Sequence, residues 1–188
     1  MNTVVSGLAR RLRVPALVAR HSSTSVMGLF ALVNGILSIG VMALAALITS
    51  SPFVFPSLGP TAFLFFYTPL AATASPRNTI AGHLIGAIAG YLSLMVFGLT
   101  DAGPALTEIT LPRVGAAALS LGLTAGLMVW LRVPHPPAGA TTLIVSLGIL
   151  SSLVHLTVLM LAVVLLTLQA LAINRLAGID YPLWSPRT

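Results

Sequence analysis

The stretch that decides the fold runs Val133-Pro134-His135-Pro136-Pro137-Ala138-Gly139-Ala140-Thr141-Thr142-Leu143-Ile144. Its prolines interrupt regular helix and leave backbone groups without helical partners. Inside a membrane, such a break is tolerated only where protein or water covers it. The stretch therefore predicts a short, broken segment at residues 138–150 that begins as a helix facing a polar pathway.

The composition around this stretch is that of a membrane protein. Hydrophobic residues make up 57% of the chain and charged residues only 6%, against about 25% charged residues in soluble domains. The class predicted is a polytopic, all-α membrane protein. The net charge of +6 is modest and no basic stretch alternates with aromatic residues, so nucleic-acid binding is not expected.

We expect three parts in the chain: a basic leader at residues 1–25, a single transmembrane domain at 26–176 and a polar tail at 177–188. The transmembrane domain divides into halves at 26–99 and 112–176. The leader arginines fit a cytoplasmic anchor, with an organelle transit segment as the alternative.

Four stretches are long enough to cross a bilayer as helices; they are residues 26–49, 78–99, 112–131 and 153–176. We expect Asn78 to cap the second span. We expect the pair Asn34 and Ser38 to bond other helices. Glycines on every fourth residue predict close helix contact and favour a homo-oligomer; they are Gly82, Gly86 and Gly90.

Two broken segments look alike. Pro56-Ser57-Leu58-Gly59-Pro60-Thr61 precedes Pro136-Pro137-Ala138-Gly139-Ala140-Thr141 by 80 residues, and Pro, Gly and Thr coincide. Chance is the alternative in a chain rich in alanine, glycine and proline. Interrupted hydrophobic segments at matching positions of two halves indicate a transport site.

The positions of the arginines bear on how many times the chain crosses the membrane. If each short segment counts as a crossing, there are six segments in two inverted halves, and both termini lie in the cytoplasm with Arg77, Arg132 and Arg175. Only Arg113 then lies outside, as the positive-inside rule favours. The alternative is four full spans plus two re-entrant half-helices.

Two half-helices from inverted halves would direct their N-termini, with free N–H groups and partial positive charge, toward the membrane midplane. The three acids, Asp101, Glu108 and Asp180, lie in loops or the tail, which argues against a cation site. We predict a small monovalent anion as the ligand. The candidate substrate-binding residues are Gly59, Thr61, His83, His135, Gly139, Thr141 and Thr142.

Four residues have two possible interpretations each. His135 is either a donor and proton partner for the anion or a loop histidine bonded to a carbonyl. His83 is either functional or a neutral histidine bonded across a glycine-lined contact. Arg77 and Arg132 either attract the anion to a cytoplasmic mouth or act as ordinary anchors.

No enzyme, metal or cofactor is expected. The chain has no cysteine, and it lacks a carboxylate pair, a Ser-His-Asp arrangement and a Gly-rich phosphate loop. Two alternatives to transport stay open. A membrane scaffold would pack the short segments dry, and a membrane enzyme or metal-binding protein would need its histidines to converge.

The chain resembles the HPP family of integral membrane proteins at residues 133–141, 57–62 and 75–84. The family is usually described with four transmembrane helices, in conflict with the six favoured above. Its members in cyanobacteria and chloroplasts are associated with nitrite transport, so the resemblance implies nitrite; the residues themselves indicate only a small monovalent anion. Because the leader is short for plastid import, we expect a bacterial plasma membrane.

Overall fold

The computed structural model describes residues 13–105 and 109–186, and within them the fold is entirely helical. Part of the basic leader, including Arg10 and Arg11, lies outside these residues, as do Glu108 and Arg187. The described helices are α1 (Val14–Val18), α2 (Ser23–Thr49), α3 (Leu58–Tyr67), α4 (Pro76–Val96), α5 (Leu111–Trp130), α6 (Ala138–Ser146) and α7 (Leu153–Leu176), with a 3-10 turn at Ala72–Ala74.

Four of these helices, α2, α4, α5 and α7, are long and apolar enough to cross a membrane. At about 1.5 Å per residue, a 20-residue helix spans about 30 Å, the thickness of the hydrocarbon layer. The prediction of an all-helical membrane protein is confirmed. The remaining helices α3 and α6, of 10 and 9 residues, are too short to cross alone.

The start of α4 differs from the prediction. Its N-cap is Ser75, whose hydroxyl accepts the Asn78 N–H at 3.4 Å, and Pro76 occupies the first turn. Proline is favoured there because its missing N–H would have no helical partner. Asn78 instead lies inside the helix, where its side-chain amide donates to the Ala72 carbonyl at 2.9 Å, so its assignment as the cap was wrong.

The polar residues of α2 also behave differently from expectation. The Asn34 amide donates to the Phe30 carbonyl of its own helix at 2.7 Å instead of to another helix. The Ser38 hydroxyl is buried without a hydrogen-bond partner among the described residues. A short polar side chain on a helix can reach the backbone carbonyl four residues earlier. The Asn34 amide uses this carbonyl in place of a partner on another helix.

The glycine face of α4 packs against α6. A Cβ atom on Gly86 would lie 2.7 Å from the Ala138 carbonyl oxygen, and one on Gly90 would lie 2.9 Å from the Thr142 carbonyl oxygen. Only glycine permits this approach of two backbones. Because the face is occupied inside the chain, it no longer supports the homo-oligomer, which stays a prediction.

Backbone hydrogen bonds gather both ends of the described chain at one end of the bundle, here termed the tail end. The Val14 N–H donates to the Ala177 carbonyl at 3.0 Å, and the Arg77 N–H donates to the Trp184 carbonyl at 3.0 Å. The Tyr181 hydroxyl donates to the Ala74 carbonyl, and burial raises the pKa of this phenol above its usual value. The opposite end, where α4 leads into α5, is termed the loop end.

Candidate functional site

Four fully buried polar side chains from α3, α4 and the α6 region meet inside the bundle; together they are termed the histidine cluster. They are Thr61, His83, His135 and Thr141. All four were predicted as site residues from the sequence. Their residues lie up to 80 positions apart; α6 packs directly against α4, whereas α3 packs against α2 and α7 and reaches the cluster through the Thr61 side chain.

His83 bridges the two short helices. Its Nε2 atom lies 2.9 Å from the Thr61 hydroxyl on α3, and its Nδ1 atom lies 2.7 Å from the Thr141 hydroxyl on α6. Thr61 and Thr141 are the matching threonines of the two similar sequence segments. A single imidazole on α4 therefore joins equivalent positions of both segments.

His135 is held from the other side. Its Nδ1 atom lies 2.7 Å from the Thr73 carbonyl oxygen and 3.4 Å from the Thr79 hydroxyl. Its Nε2 atom lies 3.2 Å from Nε2 of His83 and 3.2 Å from the Thr61 hydroxyl. The two rings are 4.8 Å apart between centroids.

These partners assign the hydrogens of the two rings. A carbonyl oxygen only accepts, so Nδ1 of His135 carries a hydrogen and Nε2 of the neutral ring is an acceptor. Nε2 of His83 then carries the hydrogen that it shares with His135 and Thr61, and its Nδ1 accepts from the Thr141 hydroxyl. With both rings neutral, every ring nitrogen has a partner.

An added proton changes this balance. Two lone pairs can take it, one on Nδ1 of His83 and one on Nε2 of His135; a proton on the latter would make two Nε2–H groups face each other across 3.2 Å. Two opposed donors repel unless an acceptor joins them; the Thr61 hydroxyl oxygen lies 2.9 Å from one Nε2 and 3.2 Å from the other, and its own hydrogen can go to the Ser57 carbonyl at 3.0 Å. A small anion accepts from both, and charge-assisted hydrogen bonds of this kind are stronger than neutral ones. A protonated cluster would hold a buried positive charge, and a buried charge is stable only when it is paired.

The other predicted binding residues lie around the cluster. Thr142 is buried on α6, and its hydroxyl has no hydrogen-bond partner among the described residues. Gly59 is exposed with open space beside it, and Gly139 is half-buried against Leu121. The structure does not bring either glycine into the cluster.

The N-terminus of α6 is less open than the sequence suggested. The N–H groups of Ala138, Gly139 and Ala140 donate to the carbonyls of His135, Pro136 and Pro137 at 2.9–3.1 Å. The proline-rich turn thus supplies partners that a ligand would otherwise provide. The first N–H groups of α6 are consequently not free donors.

The two arginines predicted at the mouth lie outside the cluster. Arg77 is half-buried in the first turn of α4, at the tail end. Arg132 is exposed directly after α5 and has a φ of 55°, which ends the helix. Neither side chain is among the hydrogen-bond partners of the histidines.

Convergence of histidines was the condition for a metal-binding or enzymatic alternative. His83 and His135 do converge, whereas His21 and His155 are exposed. In residues 13–105 and 109–186, no three His, Cys, Asp or Glu side chains come together as a metal site.

Two groups that contact the cluster were not predicted from the sequence. Thr79 lies one helical turn before His83 on α4, and this four-residue spacing was a signal that both face the same neighbour. The Thr73 carbonyl, which fixes the tautomer of His135, belongs to the 3-10 turn at Ala72–Ala74, which carried no such signal.

Four apolar spanning helices around a buried polar cluster define an integral membrane protein. A family model described as HPP, transmembrane region, matches residues 20–182. The chain therefore belongs to the HPP family of membrane proteins, as the resemblance indicated.

Two curated proteins of Dictyostelium discoideum are similar to part of the chain, and both are named only as transmembrane proteins. One is 33% identical over 93 residues, covering 50% of this chain and 30% of that protein. The other is 34% identical over 92 residues, covering 49% of this chain and 27% of that protein. The chain thus spans less than a third of these relatives. No solved structure matches.

Proposed function

We propose that the protein transports a small monovalent anion across the membrane together with a proton, and that the histidine cluster binds both. The resemblance to the HPP family makes nitrite the proposed substrate. The observation that carries the proposal is the pair of buried Nε2 atoms of His83 and His135, 3.2 Å apart.

The electrostatics of the cluster favour joint movement of anion and proton. A charge buried in a low-dielectric interior is costly unless it is paired. Of the acids that the structure describes, Asp101 is exposed beyond the end of α4, and Asp180 lies 3.8 Å from Arg175 in the tail. A proton on the histidines would therefore take its counter-charge from the anion, and the pair would cross as a neutral unit.

We further propose six crossings in two inverted halves, with both termini in the cytoplasm. The contacts at the tail end support this arrangement, because α2 starts and α4 starts there. Residues 50–75 must then return the chain across the membrane between them. In the same way, the Ala105 N–H donates to the Leu147 carbonyl at 2.9 Å, so α6 ends near the loop end.

Nitrite uptake into liposomes containing the purified protein tests the transport proposal. We expect uptake above that of empty liposomes, with nitrate, formate and chloride as competitors that rank the selectivity. Thr61→Val and Thr141→Val each remove one hydroxyl bonded to His83, and we expect each to reduce uptake by roughly tenfold, as loss of a charge-assisted hydrogen bond implies. The control is Thr157→Val, at an exposed position of α7.

A membrane scaffold is the second candidate, and one observation favours it. All four side chains of the histidine cluster are 0% exposed, so the short helices pack closed around it, as the scaffold alternative required. Absence of uptake for every anion, from folded protein, would support the scaffold and contradict transport.

A further inference from the structure

Arg113 is a buried cation at the end of the molecule opposite the tail. Its side chain is in the first turn of α5, only 3% exposed. One terminal nitrogen donates to the Ser146 carbonyl at 3.1 Å and the other donates to the Gly103 carbonyl at 2.8 Å. Among the described residues it has no carboxylate partner.

The residues around Arg113 leave room for its guanidinium. Gly148 lies against it with a φ of 80°, and a Cβ atom there would be 3.0 Å from one terminal nitrogen. The two carbonyls use two of the five N–H donors of an arginine. The Ser146 hydroxyl, on the residue whose carbonyl holds the guanidinium, is fully buried and has no described partner.

The position of Arg113 on its helix adds to the positive potential. Arg113 lies at the positive end of the α5 dipole, which favours an anion nearby, while its guanidinium contacts the last carbonyl of α6, at the negative end of that helix. Thr110, the N-cap of α5, makes no side-chain capping bond. A buried guanidinium, an uncapped helix start and an unpartnered hydroxyl therefore coincide at one place.

Helix α6 connects this place to the histidine cluster. Thr141, near its N-terminus, bonds His83, and Ser146, at its C-terminus, bonds Arg113. The separation of five positions corresponds to about 7.5 Å of helix. Thr142 and Ser146, one turn apart on α6, both carry buried hydroxyls without described partners, so one of them, on Thr142, lies between the two places.

From these observations we propose that Arg113 and the Ser146 hydroxyl form a second anion-binding station, which an anion occupies between the loop end and the histidine cluster. Gly103, whose carbonyl accepts from the guanidinium, is exposed. This inference rests on the proposed function. It adds a second binding site near the loop end, and removing this site should weaken the binding of anions that enter from that side.

The test measures the concentration dependence of nitrite uptake in right-side-out and inverted membrane vesicles, each of which presents one end of the protein to added nitrite. Arg113→Gln keeps amide donors for the two carbonyls but removes the charge. We expect the apparent KM to rise about tenfold in the vesicles that present the loop end, and to stay within about twofold in the other orientation. Arg113→Lys restores the charge and should recover much of the loss.

The controls separate this station from other roles of Arg113. Arg175→Gln removes an arginine at the tail end and should leave KM at the loop end unchanged. Ser146→Ala should raise the same KM in the same orientation, which keeps the test valid if Arg113→Gln does not fold. Glu108, outside the described residues, is the rival partner of Arg113, and Glu108→Gln should not raise the KM.

Unchanged KM in both orientations for Arg113→Gln and Ser146→Ala, with wild-type uptake intact, would overturn the station and leave the proposed function standing. An equal rise from Glu108→Gln would also overturn it, because Arg113 would then serve to hold a carboxylate. Absence of wild-type uptake would overturn both proposals.

Discussion

Helices α4 and α7 each follow one of the two short helices, yet they carry different side chains at positions related by the 80-residue offset of the similar segments. Gly82, His83, Gly86 and Gly90 of α4 lie 80 residues before Ala162, Val163, Leu166 and Ala170 of α7. Both sets contain buried residues. The α4 residues present bare backbone and an imidazole to the neighbouring helix, whereas the α7 residues present apolar side chains.

The difference separates chemistry from packing. The glycines of α4 let α6 approach until Thr141 reaches His83 at 2.7 Å. On α7 the corresponding positions contribute to the hydrophobic core, and its described side-chain bond to α3 runs from Asn174 to the Phe65 carbonyl at 3.1 Å. Of these two long helices, α4 is therefore the one that contributes to the polar site, through a helix contact that tolerates no added side chain.

The largest effect should come from giving α4 the side chain of α7. Gly86→Leu places a residue of the Leu166 type where a Cβ atom would already lie 2.7 Å from the Ala138 carbonyl oxygen. We expect the free energy of unfolding in detergent to fall by about 3 kcal/mol, as overpacking against rigid backbone does. Gly122→Leu, at an open position of α5, is the control. Equal stability of the two variants would show that α4 and α6 are not in close contact.

The next effect concerns the imidazole. His83→Val copies Val163 of α7 and removes the bridge between Thr61 and Thr141. We expect nitrite uptake to fall more than tenfold, since loss of hydrogen bonds to a charged group costs about 1.5–3 kcal/mol. His155→Val, at an exposed site on α7, should behave as wild type. Uptake retained in His83→Val would assign the transport path elsewhere.

The smallest effect should appear where the chain after α7 contacts the start of α4. Tyr181→Phe removes the hydrogen bond to the Ala74 carbonyl and should lower the free energy of unfolding by about 1 kcal/mol, with uptake unchanged. Denaturation of both proteins at several pH values measures this.

The pH dependence of that difference has a definite sign. Burial raises the pKa of Tyr181, so the neutral phenol is favoured in the folded state. The resulting stability is fully present below the ordinary phenol pKa of about 10 and is lost as the pH rises above it. The wild type should therefore lose its advantage over Tyr181→Phe only in alkaline solution; a loss near neutral pH would contradict a buried, neutral phenol.

Much of the fold and part of the site could be read from the sequence. Helix length and apolar composition predicted four long helices, and prolines beside matching threonines predicted the two short ones. Thr61, Thr141 and His135 were predicted as site residues because they offer donors beside the expected half-helix N-termini, and His83 because an ionisable residue inside a span indicates function.

What sequence reasoning missed depends on contacts between distant segments. Nothing local indicated that the proline turn would satisfy the first N–H groups of α6, or that Gly59 would face open space. The cap of α4 was misplaced by three residues, because Ser75 and Asn78 are both good capping residues and only the bonds distinguish them. From the sequence, Arg113 was considered only as one of the charges that set the topology, because its burial depends on where α6 ends.

The central claim is that a proton accompanies the anion through the histidine cluster, and the voltage dependence of nitrite uptake tests it most directly. Liposomes with a fixed potassium diffusion potential are given nitrite at two external pH values, and uptake by empty liposomes, which includes diffusion of neutral nitrous acid, is subtracted. We predict uptake that rises at the lower pH and is indifferent to the sign of the potential, because anion and proton carry no net charge together. Uptake driven by an inside-positive potential and insensitive to pH would contradict the account.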